Sequence, residues 1–150
     1  MLEQKAETIG YIMAGVCKLV RHHAHGRMEK LGLYRGQNFI LHRLWHEEGQ
    51  TQTALATSLN VSPATVTNSL QRMERDGIIE RRPDLEDQRV SRVYLTDRGR
   101  ALREHAEAAW ATIESTACKG FTDDERAQLI TLLTRMRANL HKALYEDTDG

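Results

Sequence analysis

The apolar positions of the chain fall first into helical spacing. From about Glu7 to about Leu31, Ile9, Ile12, Met13, Val16, Leu19, Val20 and His23 recur at helical steps, and Gly32 stops the run. A second helix is predicted from about Arg35 to Glu48, with Phe39, Ile40, Leu41, Leu44 and Trp45 apolar and Gly49 ending it. Thr51 can cap a short third helix carrying Leu55, Ala56 and Leu59. Asn60 tolerates the left-handed backbone of a tight turn, and Val61 is the apolar residue that would pin that turn to the core. Ser62 caps the next helix, Pro63 takes its first position, Val66, Leu70 and Met73 form its buried stripe, and Gly77 ends it.

The period then changes to two. Ile78 to Arg82 and Val90 to Leu95 read as two strands joined by the polar turn Pro83 to Gln88. On the second strand Val93 and Leu95 share one face, and Arg92 and Tyr94 the other. Thr96 can cap a long helix with Leu102, Ala106, Ala109, Ile113 and Ala117, which Lys119-Gly120 breaks. Thr122 and Glu125 form a capping box after Phe121, and the last helix carries Leu129, Leu132, Leu133, Met136, Leu140 and Leu144. The tail from Glu146 to Gly150 is acidic and expected to fray. The expectation is a mainly α fold with one small β-hairpin.

At 150 residues the chain is long enough for a core without disulfides or metal. No apolar run reaches the roughly 20 residues of a membrane span, and no stretch resembles a signal peptide. With two distant cysteines, Cys17 and Cys118, a reducing cytoplasm is the expected location. The 21 basic and 21 acidic residues cancel, which argues against a protein that simply coats nucleic acid. Arg81, Arg82, Arg89, Arg92, Arg98 and Arg100 nevertheless concentrate guanidinium groups on and beside the hairpin. Read alone, that cluster is a solvated hairpin balanced by Asp84, Glu86 and Asp87.

Two short helices with a tight turn, followed by an arginine-bearing hairpin, describe a winged helix-turn-helix. The second short helix turns small and polar residues outward: Ala64, Thr65, Asn68, Ser69 and Arg72. A B-form major groove admits such a helix, Asn pairs with adenine, and methyl groups touch thymine. A core helical hairpin would share the Ser-Pro cap and small outer face; the adjoining arginine hairpin separates the two readings. The segment NVSPATVTNSLQRMERDGIIERRPDLEDQRVSRVYLTDRGRAL resembles the DNA-binding core of MarR-type regulators. The wing carries the most specific part, Asp84-x-x-Asp87-x-Arg89 followed by Leu95-Thr96-x-x-Gly99.

The resemblance covers nearly the whole chain. It implies a single MarR-type domain over residues 1–150, with a winged lobe at 35–100 and a helical dimerisation region built from 1–31 and 101–150. It implies a homodimer that places two recognition helices in successive major grooves of a double-stranded DNA operator, most often as a repressor. Thr51, Gln52 and Thr53 fall where phosphate contacts are typical. Ser62, Ala64, Thr65, Thr67, Asn68 and Arg72 fall on recognition-helix positions. Ser62 and Arg72 are expected at phosphates, and Thr65 and Asn68 at base edges. Arg89 or a neighbouring wing residue enters the minor groove, braced by Asp87. Many relatives have Arg or Lys where Asn68 stands, so the target sequence differs while the mode of binding holds. Rich apolar stripes at both ends of the chain independently favour a dimer that covers them.

Family members commonly bind anionic aromatic compounds in a cleft that here would be lined by Tyr11, Arg21, His22, Tyr34, His42, Trp45 and Trp110; core or dimer packing accounts for Trp45 and Trp110 equally well. A thiol sensor, a metal sensor and a winged domain used for protein contacts are the alternatives. Cys17 lies near the apolar stripe, where a free cysteine is usually a small core hydrophobe, and Cys118 precedes Lys119. His42 and His46 have metal-ligand spacing, and with Glu47 and His105 they make a loose set that does not match the ligands of zinc-responsive relatives. No GxSxG, HExxH, P-loop or GxGxxG occurs, so neither an enzyme nor a cofactor or metal is expected.

Overall fold

The computed structural model describes residues 7–34 and 36–146. The expected helix start at Arg35 and the tail beyond residue 146 lie outside the described residues. The described chain divides into two compact units that meet between Ile113 and Glu114.

In the first unit, α1 (Ile9–Lys30) starts at Thr8, whose hydroxyl accepts from the Tyr11 N–H. It closes where the Leu33 N–H donates to the Met28 carbonyl, with Gly32 at φ 76°. Ala24 and Met28 are the only buried residues of α1, so Ile9, Ile12, Val16 and Leu19 of the expected stripe are exposed in the single chain. α2 (Gln37–His46) follows Gly36 and ends before Glu47, which is extended. It stops two residues short of the expected Glu48 because the chain turns into a strand, β1 (Gln50–Thr51). Phe39 faces outward beside Trp110, ring centres 6.2 Å apart, and does not join the buried α2 face.

α3 (Gln52–Leu59) and α4 (Pro63–Arg75) come next, then β2 (Ile79–Pro83) and β3 (Ser91–Leu95). The sheet has three antiparallel strands in the order β1-β3-β2, where the sequence pattern predicts only the β2–β3 hairpin. The hairpin pairs Ile79 with Leu95 and Pro83 with Ser91, while β1 pairs Gln50 with Val93 and Thr51 with Arg92. A two-residue strand is too short to show alternation, and its partner lies some forty residues away.

Met28, Leu33, Ile40, Leu41, Leu44, Leu55, Ala56, Val66, Leu70, Met73, Ile78, Ile79, Val93 and Leu95 make one continuous core. Val93 and Leu95 are buried on one face of β3, as their alternation predicts. α5 (Asp97–Ala117) begins where Thr96 Oγ1 accepts from the Gly99 N–H and donates to the Gly77 and Ile78 carbonyls. This side chain ties the end of the hairpin to the helix that follows.

The second unit begins in the last residues of α5, passes Gly120 at φ 85°, and continues as α6 (Asp123–Glu146). Thr122 Oγ1 accepts from the Glu125 N–H, as the capping pattern predicts, and Arg126 pairs with Glu114 at 2.8 Å. No residue of α6 is buried.

Candidate nucleic-acid interface

The α3–turn–α4 segment is built from local rules. Thr51 caps α3 by accepting from the Ala54 N–H at 3.1 Å. Asn60 takes the left-handed conformation at φ 53°, the sole non-glycine residue with positive φ among those described. The Val61 N–H then donates to the Ala56 carbonyl, closing the α3 end. Ala56 is buried and lets α3 and α4 approach closely. Val61 was expected to pin the turn through its side chain, yet that side chain is 39% exposed. The turn is held by backbone hydrogen bonds and the Asn60 conformation instead.

Ser62 Oγ accepts from the Thr65 N–H at 3.1 Å and lies 2.8 Å from Thr65 Oγ1. The cap therefore also orients the Thr65 hydroxyl. Val66, Leu70 and Met73 are buried, which fixes the rotation of α4 about its axis. Ser62, Ala64, Thr65, Asn68 and Arg72 are exposed, and Thr67 and Ser69 are half-buried. At the start of α3, Thr53 is exposed and Thr51 and Gln52 are half-buried.

Arg72 is placed by a contact the sequence did not reveal. Its guanidinium carbon lies 4.0 Å from the centre of the Tyr34 ring. The Tyr34 N–H donates to Oε1 of the buried Gln37 at 3.0 Å. His25, Tyr34, Gln37, Asn68, Ser69 and Arg72 line a cleft of about 320 Å³.

The wing is braced by two aspartates. Asp87 accepts from the Arg89 N–H at 3.1 Å and from Arg89 Nε at 3.1 Å, and its second oxygen takes the terminal guanidinium nitrogen at 3.3 Å. These contacts, the Arg89 side chain first, hold the Asp87 carboxyl below its ordinary pKa. Asp84 pairs with Arg92 Nε at 2.5 Å, and Arg92 also donates to the Gly49 carbonyl at 2.7 Å, joining the wing to β1. The Arg92 contact is the largest cause holding the Asp84 carboxyl low.

The arginine cluster therefore sorts by use. Arg81 pairs with Glu74, and Arg82 pairs with Glu80 while stacking on Tyr94 at 4.3 Å. Arg98 donates to the Asp76 carbonyl, and Arg100 pairs with Glu48 and Asp97. Arg89 differs in projection: its side chain stays 91% exposed despite its pairing with Asp87. The solvated-hairpin reading accounts for part of the cluster, but Arg81 ties the hairpin to α4, and Arg98 and Arg100 tie α5 to the end of α4 and to the segment before β1.

The seven residues expected to line a ligand cleft lie in separate places. Tyr34 lines the cleft beside Arg72. Trp45 lines a second cleft of about 320 Å³ with His46, Glu48, Arg100 and Arg103, and its indole N–H donates to the Gly99 carbonyl. Neither cleft includes Tyr11, Arg21, His22, His42 or Trp110. Tyr11, Arg21 and His22 are exposed on α1, and Trp110 packs beside Phe39. The rings of His42 and His46 lie 4.6 Å apart and tilted by 58°, and burial, then His46 and Arg43, push the pKa of His42 down. No three His, Cys, Asp or Glu side chains among the described residues are placed to hold a metal ion, so His42, His46, Glu47 and His105 are not assembled into one. Cys17 is exposed, contrary to its expected place in the core, because α1 buries only Ala24 and Met28. No described helix is long and apolar enough to cross a membrane.

A helix-turn-helix with an exposed small polar face, flanked by a braced arginine hairpin, defines a winged helix-turn-helix domain. The MarR family model matches residues 33–91. The chain is 31% identical to the HTH-type transcriptional regulator YdgJ of Bacillus subtilis over 110 residues, covering 73% of this chain and 67% of that one. It is 34% identical to the HTH-type transcriptional regulator TtmR of Methylorubrum extorquens over 105 residues, covering 70% of this chain and 53% of that one. Among solved structures, the S. aureus MepR–DNA complex superposes with a TM-score of 0.78 at 26% identity, covering 89% of this chain and 98% of that one. The chain belongs to the MarR family of transcriptional regulators.

Proposed function

We propose that the protein is a homodimeric repressor that binds a pseudo-palindromic double-stranded DNA operator through α4 and the wing. The observation that carries this reading is the outer face of α4 beside the wing. Asn68, Thr65 and Ala64 are exposed on a helix whose rotation the core fixes, and Arg89 projects from the neighbouring hairpin. Asn68 and Thr65 meet base edges, while Ser62, Arg72 and the first residues of α3 meet phosphates. Arg89 occupies the minor groove, where A·T-rich sequence deepens the negative potential. MepR, a relative at 26% identity, has been solved bound to DNA.

The dimer is supported by apolar surface. The single chain leaves Ile9, Ile12, Val16 and Leu19 of α1 exposed, and Ile130, Leu132, Leu133, Leu140 and Leu144 of α6 as well. A second copy that covers these stripes sets two recognition helices one turn of DNA apart, roughly 34–36 Å. Release by a small aromatic or anionic ligand belongs to the same reading. A planar anion that took the place of either partner in the Tyr34–Arg72 stack would withdraw Arg72 from the DNA.

A gel shift with the region upstream of the protein's own gene, a scrambled competitor and a salt series tests this reading. A specific shift at nanomolar protein that weakens steeply with salt is the expected result. A folded dimer that binds operator and scrambled DNA equally would overturn it.

A further inference from the structure

The tip of the wing carries an apolar side chain that the fold leaves bare. Leu85 is 100% exposed, more than any other large hydrophobic residue described. It belongs to no stripe: α1 and α6 carry the long apolar faces, whereas Asp84, Glu86 and Asp87 surround Leu85 in sequence. Its backbone is nonetheless fixed. The Asp84 N–H donates to the Val90 carbonyl at 2.8 Å, and the Val90 N–H to the Asp87 carbonyl at 2.9 Å. Asp84 Oδ2 accepts from the N–H groups of Glu86 and Asp87 at 3.2 and 3.1 Å, and its other oxygen is held by Arg92. Leu85 therefore projects from a closed turn, four residues from the exposed Arg89.

We infer that Leu85 is a specificity-determining residue that packs into the minor groove beside Arg89 and reads the absence of the guanine amino group. The inference rests on the DNA-binding reading proposed above. The minor groove is walled by deoxyribose C–H groups, which accept an apolar side chain. Its floor at A·T pairs carries only acceptors, whereas each G·C pair adds the protruding guanine N2 amine. A leucine that packs against an A·T floor meets that amine as a clash and as an unpaired donor. Leucine is among the apolar residues that proteins carry into minor grooves, there as wedges between base steps; here it packs against the groove floor. Arg89 is drawn to the same A·T-rich groove by charge, so the two side chains use different properties of one sequence.

The test separates the amine from the sequence. Footprinting locates the bases beneath the wing, and each adenine there is replaced by 2,6-diaminopurine, which adds the minor-groove amine and leaves the major-groove edge unchanged. Binding of the full-length dimer is followed by fluorescence anisotropy. The wild type is expected to lose about tenfold in affinity on the modified operator, in line with one well-read base pair. Leu85→Ala, which keeps the wild-type melting temperature because the side chain touches nothing in the fold, binds the unmodified operator more weakly and loses less than about threefold to the amine. Arg89→Ala binds weakly and keeps the full amine penalty. An equal penalty in wild type and Leu85→Ala overturns the inference, as does a wild type indifferent to the amine. A wild type with no specific operator affinity overturns the DNA-binding reading itself, and the inference with it.

Discussion

The guanidinium of Arg72 lies over the ring of Tyr34 at 4.0 Å, so a side chain of α4 is held by the link between α1 and α2. Tyr34→Ala removes the stack and leaves Arg72 unplaced for the phosphate contact proposed for it. Operator affinity is expected to fall about two- to fivefold, the scale of an exposed cation–π contact. Tyr34→Phe keeps the ring and is expected to bind like wild type. Anisotropy titrations of the three proteins decide it; a Phe variant as weak as the Ala variant would point to the hydroxyl, not the stack.

Gly99 sits in the first turn of α5, where the usual expectation for Gly→Ala in a helix is a gain of about 1 kcal/mol. The packing reverses the sign. A Cβ at Gly99 would stand 2.2 Å from the Ile78 carbonyl oxygen and 3.1 Å from Leu95 Cδ2. The backbone oxygen belongs to the residue that accepts from both the Thr96 N–H and its hydroxyl, so it cannot easily retreat. Gly99→Ala is expected to destabilise the fold by about 1–3 kcal/mol, the scale of overpacking. Urea denaturation measures this, and a variant more stable than wild type would refute the close approach.

These two positions show where sequence was readable and where it was not. Thr51, Asn60, Ser62, Thr96 and Thr122 act through hydrogen bonds that span a few residues, and each was legible as a cap or turn. The burial of Val66, Leu70, Met73, Val93 and Leu95 follows directly from the helical and strand periods. By contrast, β1, the Arg92–Gly49 contact and the Tyr34–Arg72 stack join residues 38 to 43 positions apart, and no local pattern encodes them. Cys17 was misplaced for a related reason. Periodicity reports that a face is apolar, not whether the same chain covers it.

The wing should weaken in acid. The carboxyls of Asp84 and Asp87 are held below their ordinary value of 3.8, chiefly by Arg92 and Arg89 respectively. A depressed carboxylate contributes stability that is complete well above its unfolded pKa and is lost as pH falls through the folded one. The order of the wing is therefore expected to be constant near neutral pH and to decline as pH drops below about 4. Amide protection of residues 84–92, measured against the intrinsic exchange rate at each pH, reads it. Asp84→Asn should show at neutral pH the lowered protection that wild type shows only in acid; unchanged protection in that variant would mean that the hairpin ladder alone holds the turn.

Asp87 and Arg89 are expected to act as one unit on DNA. Arg89→Ala removes the side chain proposed to enter the groove and should weaken operator binding by about an order of magnitude without unfolding the protein, since the side chain is almost wholly exposed. Asp87→Ala leaves Arg89 charged but unbraced, free to sample positions in which it misses the groove, and should cost less. If Asp87 works only by placing Arg89, the double variant binds no more weakly than Arg89→Ala, and the two losses fail to add. Additive losses in anisotropy titrations would instead show that Asp87 shapes the wing for another contact, with the Asp87–Arg89 hydrogen bonds incidental to binding.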